Sequence, residues 1–202
     1  MFKPVILLLI AFLIGGIPTG YIFVRLKEHK DIRTLGSGNI GFTNVLRASG
    51  LTAGLIVLII DVGKAFLTVY FFSNMMGNVE LYRLLFGLSV ILGNLFSPYL
   101  KFKGGKGVAT GLGVSIAISP YAIIIAVIIF LIVFFIFRYV SLGSISAAFI
   151  FMATNIFLYY KFGDIYTLIF SILLFIAVIV SHRENIKRLI RGTENKIGSR
   201  KK

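Results

Sequence analysis

No cysteine occurs anywhere in the 202-residue sequence, which excludes disulfides, thiol catalysis and cysteine-ligated metal. Acidic residues are also scarce: 7 Asp and Glu stand against 21 Lys and Arg, a formal net charge of +14. Charge of either sign accounts for only 14% of the chain, while 58% is hydrophobic and the mean hydropathy is +0.98. Soluble domains contain roughly 45–50% apolar residues, so this composition excludes an ordinary water-soluble fold. It implies a single polytopic, all-α membrane domain over residues 1–202.

What is present is a series of long apolar runs. A helix needs about 20 apolar residues to cross a hydrocarbon core about 30 Å thick, and spans are predicted at 3–25, 50–73, 82–98, 119–138, 143–160 and 164–182. A seventh, short segment, 106–118, reads from its length alone as a helix, a re-entrant piece or a loop. Charge argues that it crosses. With the N-terminus outside and seven spans, all but Lys3, Lys64, Arg83 and Lys161 of the 21 basic residues fall in inward loops or the C-terminal tail, as the positive-inside rule describes. The C-terminus is then cytoplasmic. The same rule accounts for the net charge without nucleic acid, because basic inner loops attract anionic lipid. The first apolar run lacks a small-residue cleavage site and carries its positive flank after it, so it reads as a span rather than a cleaved signal.

Three inward segments carry chemistry that topology does not require. In "LGSGNIGFTNVLRASG", residues 35–50, Gly36, Gly38 and Gly41 permit tight turns, while Ser37, Asn39, Thr43 and Asn44 supply short polar groups. Asn44 and Arg47 share a face if a helix starts near Phe42. In "KFKGGKGVAT", residues 101–110, Gly104, Gly105 and Gly107 let successive backbone N–H groups converge beside Lys106, at the start of a helix near Val108. That is the form of a phosphate cradle, without the spacing of a nucleotide-binding P-loop. In "SHRENIKRLIRGTENKIG", residues 181–198, His182 and Asn185 face the same way on a continuing helix, and His suits proton transfer near neutrality.

Together "SGNIGFTNVLR", "GGKGVAT" and "HRENIKRLIRGTE", in this order between these spans, resemble the three cytoplasmic motifs of the bacterial acyl-phosphate:glycerol-3-phosphate acyltransferases. The resemblance extends over nearly the whole chain, including the "RYVSLGSI" turn. One departure is Asn94, in "ILGNLFSP", where the family often carries a histidine. The resemblance implies a multi-pass enzyme of the bacterial inner membrane whose active site faces the cytoplasm. It implies transfer of a fatty acyl group from acyl-phosphate to the 1-hydroxyl of glycerol 3-phosphate, giving lysophosphatidic acid and inorganic phosphate, with neither cofactor nor metal. The partners so implied are the two substrates and membrane lipid, and a monomer is expected.

Carried onto this sequence, the resemblance gives Ser37, Lys106, His182 and Asn185 as catalytic residues. Gly38, Asn39, Asn44, Arg47, Gly104, Gly105, Gly107 and Ser144 are expected to bind substrate. Arg47 can grip one phosphate bidentately while Lys106 balances another, and Ser37, Asn39, Ser144 and Asn185 can hold phosphate oxygens or a developing oxyanion. Either His182 or a substrate phosphate oxygen takes the proton of the attacking hydroxyl. Glu194 reads as a structural partner of a nearby base. Asp61 and Lys64, three apart within a span, read either as an ion pair for packing or as part of the site. A small-anion transporter would also need basic loops and a glycine-broken short helix, but the polar motifs lie on one face only. A non-catalytic lipid-binding organiser would tolerate loss of Lys106 or His182. Neither histidine begins an HxxxxD pair, and the aspartate cluster of CDP-alcohol transferases is missing.

Overall fold

The computed structural model describes residues 2–197, and every regular element among them is helical. The basic tail at 198–202, expected to lie against anionic lipid, falls outside the described residues. Contacts divide the chain into two compact units, Met1–Ile118 and Ser119–Lys202. The first holds α1 (Lys3–Gly16), α2 (Thr19–Glu28), α3 (Phe42–Ser49), α4 (Leu51–Asn74), α5 (Val79–Leu95) and α6 (Val108–Ile118), with short 3-10 turns at Ile32–Thr34 and Pro98–Leu100. The second holds α7 (Pro120–Phe137), α8 (Val140–Phe162), α9 (Ile165–Ser181) and α10 (Arg183–Ile190).

Four of these segments are long and apolar enough to cross a membrane, and the number reaches six if each of two bent pairs is taken as one span. The first expected span, 3–25, is broken. Pro18 has no N–H and disfavours helical backbone at Ile17, so α1 and α2 meet at 41°. The last expected span likewise ends in a bend, with α9 and α10 meeting at 61°. The segment expected over 106–118 forms α6, with 11 residues from Val108 to Ile118.

Close helix contact in the first unit relies on glycine. A Cβ added to Gly93 of α5 would strike the Phe12 carbonyl of α1, and one on Gly113 of α6 would strike the Val62 carbonyl of α4. Small residues permit such approaches where lipid supplies no hydrophobic drive between helices. At one end of this unit Val24, Ile32, Ile40, Val45, Ala53, Val57 and Leu100 form a buried apolar cluster. The loop between α2 and α3 is therefore anchored from beneath by Ile32 and Ile40. From above, Asp31 accepts bonds from both the backbone and the guanidinium of Arg33, whose side chain also lies 5.0 Å from the Tyr21 ring centroid.

Asp61 and Lys64 form an ion pair at 2.6 Å, with side chains 7% and 10% exposed. Thr19 donates its hydroxyl to Asp61 at 2.7 Å, and the Lys64 ammonium donates to the Ile17 carbonyl at 2.6 Å. The pair thus joins α4 to the proline break between α1 and α2, which is the packing alternative of the two left open by the sequence. In the second unit, Ser119 donates to Asn155 at 2.7 Å, tying the start of α7 to α8, and Phe151 of α8 meets Phe170 of α9 edge to face.

Removing one partner of a buried pair strands the other charge, at about 3–5 kcal/mol, whereas replacing both is far less costly. Lys64→Met is therefore expected to lower the melting temperature in detergent much more than the double change Lys64→Met with Asp61→Asn. Circular dichroism melts of the two variants beside the parent check this, and equal losses would contradict the pairing.

Candidate functional site

In the first unit, α3 begins at Phe42, as the spacing of Asn44 and Arg47 required. The two residues nevertheless have different tasks. Asn44 is 1% exposed. Its amide oxygen accepts the Ser37 N–H at 2.9 Å, and its amide nitrogen donates to the carbonyls of Ile32, Leu35 and Asn39 at 3.1, 2.9 and 2.8 Å. Asn44, expected to bind substrate, thus organises the 32–39 loop through its side-chain amide. Gly36, at φ +55°, passes directly over its oxygen. Asn39 makes a smaller turn of its own, accepting the Gly41 N–H at 2.9 Å. Ser37 stands exposed on the loop, Gly38 takes φ +73°, and Arg47 is exposed in the last turn of α3.

The glycine loop is built differently from the expected cradle. Gly104 N–H donates to the Leu95 carbonyl at 3.1 Å, Gly105 N–H to the Asn94 carbonyl at 2.9 Å, and Gly107 N–H to the Asn94 side-chain oxygen at 3.0 Å. These amides close the C-terminal end of α5 instead of converging on an anion. The anion-binding potential moves to half-buried Lys106 and to the first turn of α6. There the amides of Val108, Ala109 and Thr110 precede the first helical bond, from Gly111 N–H to the Gly107 carbonyl. Gly104 is obligatory because a Cβ there would collide with the Asn94 carbonyl. Gly105 faces the first loop, where a Cβ would lie 3.5 Å from Ile40. The first two motifs are thus neighbours.

In the second unit, His182 is 3% exposed and sits at the bend between α9 and α10, so the helix does not continue straight through it. Its Nδ1 lies 2.9 Å from the Val178 carbonyl. A carbonyl can only accept, which puts the proton on Nδ1 and makes Nε2 the acceptor nitrogen of the neutral ring. Asn185, buried in α10, donates its amide to Glu194 at 2.7 Å. The same carboxylate accepts from Ser141 of α8 at 3.0 Å and from the Arg188 guanidinium at 2.7 Å. Glu194 therefore pairs with a base, as its place in the sequence indicated, and also joins α8 to α10. Ser144 is buried and donates to the Val140 carbonyl one turn back, at 2.9 Å. Ser141 escaped notice because only folding brings the α8 N-terminus to the segment after α10. Its place in the quoted "RYVSLGSI" turn is the one signal it offered.

Burial pushes the Glu194 carboxyl upward, but the bonds from Asn185, Arg188 and Ser141 outweigh it, and the net displacement is below the ordinary value of 4.5.

The long apolar helices define the chain as a multi-pass integral membrane protein, with a cationic glycine loop in its first unit and a buried His and Asn in its second. The model of the family described as glycerol-3-phosphate acyltransferase matches residues 5–192. The chain is 43% identical over 197 residues to the glycerol-3-phosphate acyltransferase of Endomicrobium trichonymphae, covering 98% of this chain and 97% of the relative. It is 42% identical to that of Staphylococcus haemolyticus, covering 96% and 97%. It also resembles the crystal structure of PlsY (YgiH), an integral membrane glycerol 3-phosphate acyltransferase, in its glycerol 3-phosphate form, with a TM-score of 0.89 and 36% identity over 96% of each chain. The lysophosphatidic acid form of the same enzyme gives 0.86 and 35%, covering 96% and 95%. The chain belongs to the glycerol-3-phosphate acyltransferase family, and it is an integral membrane acyltransferase.

The depressed carboxyl of Glu194 contributes stability above the unfolded-state value near 4.5, and that contribution is lost as the pH falls through the lower folded value. Glu194→Gln is expected to be less stable than the parent at pH 7 and to lose less on acidification. Melting temperatures taken from pH 7 down to about 3, below the ordinary carboxylate range, check it. Parallel curves would remove the linkage.

Proposed function

We propose that this enzyme transfers a fatty acyl group from acyl-phosphate to the 1-hydroxyl of sn-glycerol 3-phosphate, releasing lysophosphatidic acid and inorganic phosphate. It acts as a monomer in the bacterial inner membrane, with seven crossings, the N-terminus outside and the site facing the cytoplasm. The observation that carries this reading is the ordered loop around Lys106. Its neighbours Gly105 and Gly107 are both bonded to Asn94, so the Lys106 backbone and the start of α6 are held in one place. A cation on an anchored backbone beside a helix N-terminus suits a phosphate monoester.

In the reaction, the glycerol hydroxyl oxygen attacks the acyl carbonyl carbon, and the bond from that carbon to phosphate oxygen then breaks. Lys106 and Arg47 balance the phosphate charges, Arg47 through a bidentate grip suited to its planar fork. Ser37, Gly38, Asn39 and Ser144 contribute hydrogen bonds, and Asn185 holds the acceptor or the developing oxyanion. The hydroxyl proton goes either to Nε2 of His182 or to a phosphate oxygen of a bound substrate. The second route is preferred, with His182, whose Nδ1 lies 2.9 Å from the Val178 carbonyl, positioning the hydroxyl. Acyl-phosphate is already activated, so Ser37 need not become a covalent nucleophile.

The decisive experiment gives the purified protein palmitoyl-phosphate with and without glycerol 3-phosphate, and follows both phosphate and lipid. Acceptor-dependent phosphate release, matched by lysophosphatidic acid, is expected. An untouched acyl-phosphate would defeat the reading and make anion flux in liposomes the next test. Lys106→Ala is expected to raise the KM for glycerol 3-phosphate and to lower kcat/KM by about 10–100-fold, the scale of a hydrogen bond to a charged group. Loss of His182 to Ala should reduce turnover by about 100-fold or more. Rates measured with phosphonate analogues of shifted pKa then separate the two proton routes.

A further inference from the structure

The third bond of the glycine loop has a separate consequence, because one residue supplies the acceptors on both sides of Lys106. Asn94 lies in the last turn of α5 and is 8% exposed. Its main-chain oxygen takes the N–H of Gly105, and its side-chain oxygen takes the N–H of Gly107. Lys106 is the single residue between those two anchors. Gly107 has φ +73° and its carbonyl accepts the first bond of α6, so the side-chain bond also sets where that helix begins. The main-chain bond would survive most substitutions at 94. The bond to Gly107 depends on an acceptor oxygen at the tip of this side chain.

We propose that Asn94 is a positioning residue for phosphate recognition: by holding the Gly107 N–H it fixes the backbone of Lys106 and the first-turn amides of α6 toward the phosphate of the acceptor substrate. This rests on the reading of the Lys106 loop given above. The side chain acts through its neighbours, so its effect belongs in the affinity for glycerol 3-phosphate and not in the handling of the acyl donor.

Two variants test it. Asn94→Leu keeps the volume and removes the acceptor. The KM for glycerol 3-phosphate is expected to rise about tenfold, the scale of one hydrogen bond, with kcat within a few-fold of the parent and the KM for acyl-phosphate unmoved. Asn94→Asp retains an acceptor, and a purely structural staple would work at least as well when ionised. Here its negative charge beside the anion is expected to raise the same KM while the melting temperature holds, which keeps the test valid if the leucine variant fails to fold. An unchanged glycerol 3-phosphate KM in both variants, with activity falling only in step with the folded fraction, overturns the proposal. If the parent itself shows no acyl transfer, the proposed reaction has failed, and hydrogen exchange of the 101–110 peptide decides this inference. Protection by glycerol 3-phosphate in the parent but not in Asn94→Leu supports it, and equal protection, or none in either, overturns it.

Discussion

Backbone polar groups freed where a helix stops and buried away from water must each find a partner within the protein. The architecture of this enzyme follows from how its helix ends are closed. At Ile17–Pro18 the carbonyl of Ile17 is taken by Lys64, whose own charge is balanced by Asp61. At the end of α5 the carbonyls of Asn94 and Leu95 are taken by the N–H groups of Gly105 and Gly104. At the bend after α9 the Val178 carbonyl meets the ring of His182. Each closure turns a helix end into a defined corner, and two of the three corners carry residues assigned to the chemistry.

The same closures order the loops that carry the candidate site residues. The segment after α2 contains no regular structure longer than one 3-10 turn. Even so, Asn44 gathers three carbonyls and one N–H of that segment around a single buried amide, while Ile32 and Ile40 sink into the apolar cluster below. Glu194 does the corresponding work in the second unit, binding Ser141, Asn185 and Arg188 with one carboxylate. A buried polar network is stabilising only when its members are satisfied, and both hubs meet that condition through several partners each.

The residue types at the site were legible in the sequence because their spacing is local: Lys106 among its glycines, Asn44 three before Arg47, His182 three before Asn185. Their tasks were less legible. An asparagine in a glycine-rich loop reads equally well as a ligand or as a turn organiser, and Asn44 turned out to be the organiser because Ile32 and Leu35 fold back over it. The glycines were expected to offer amides to an anion, whereas Gly104 and Gly105 serve the end of a helix a few residues upstream in the chain. That pairing requires the 3-10 turn at Pro98–Leu100 to reverse the chain, which no pattern of residue types in the loop reveals.

The sequence by itself determined the solvent, the helical class and the inventory of charged and small polar groups, since these depend on composition and on periodicities of only a few residues. Its apolar run lengths placed the long helices, but not the 41° and 61° bends at Pro18 and His182. Tertiary structure alone decided which polar groups are spent on the backbone and which remain for chemistry. The reason is geometric: Asn94 with Gly107 and Ser141 with Glu194 are hydrogen-bonded pairs separated in sequence, and their partnership exists only once the chain has reversed at Pro98–Leu100 in the first case and α8 and α10 have come together in the second.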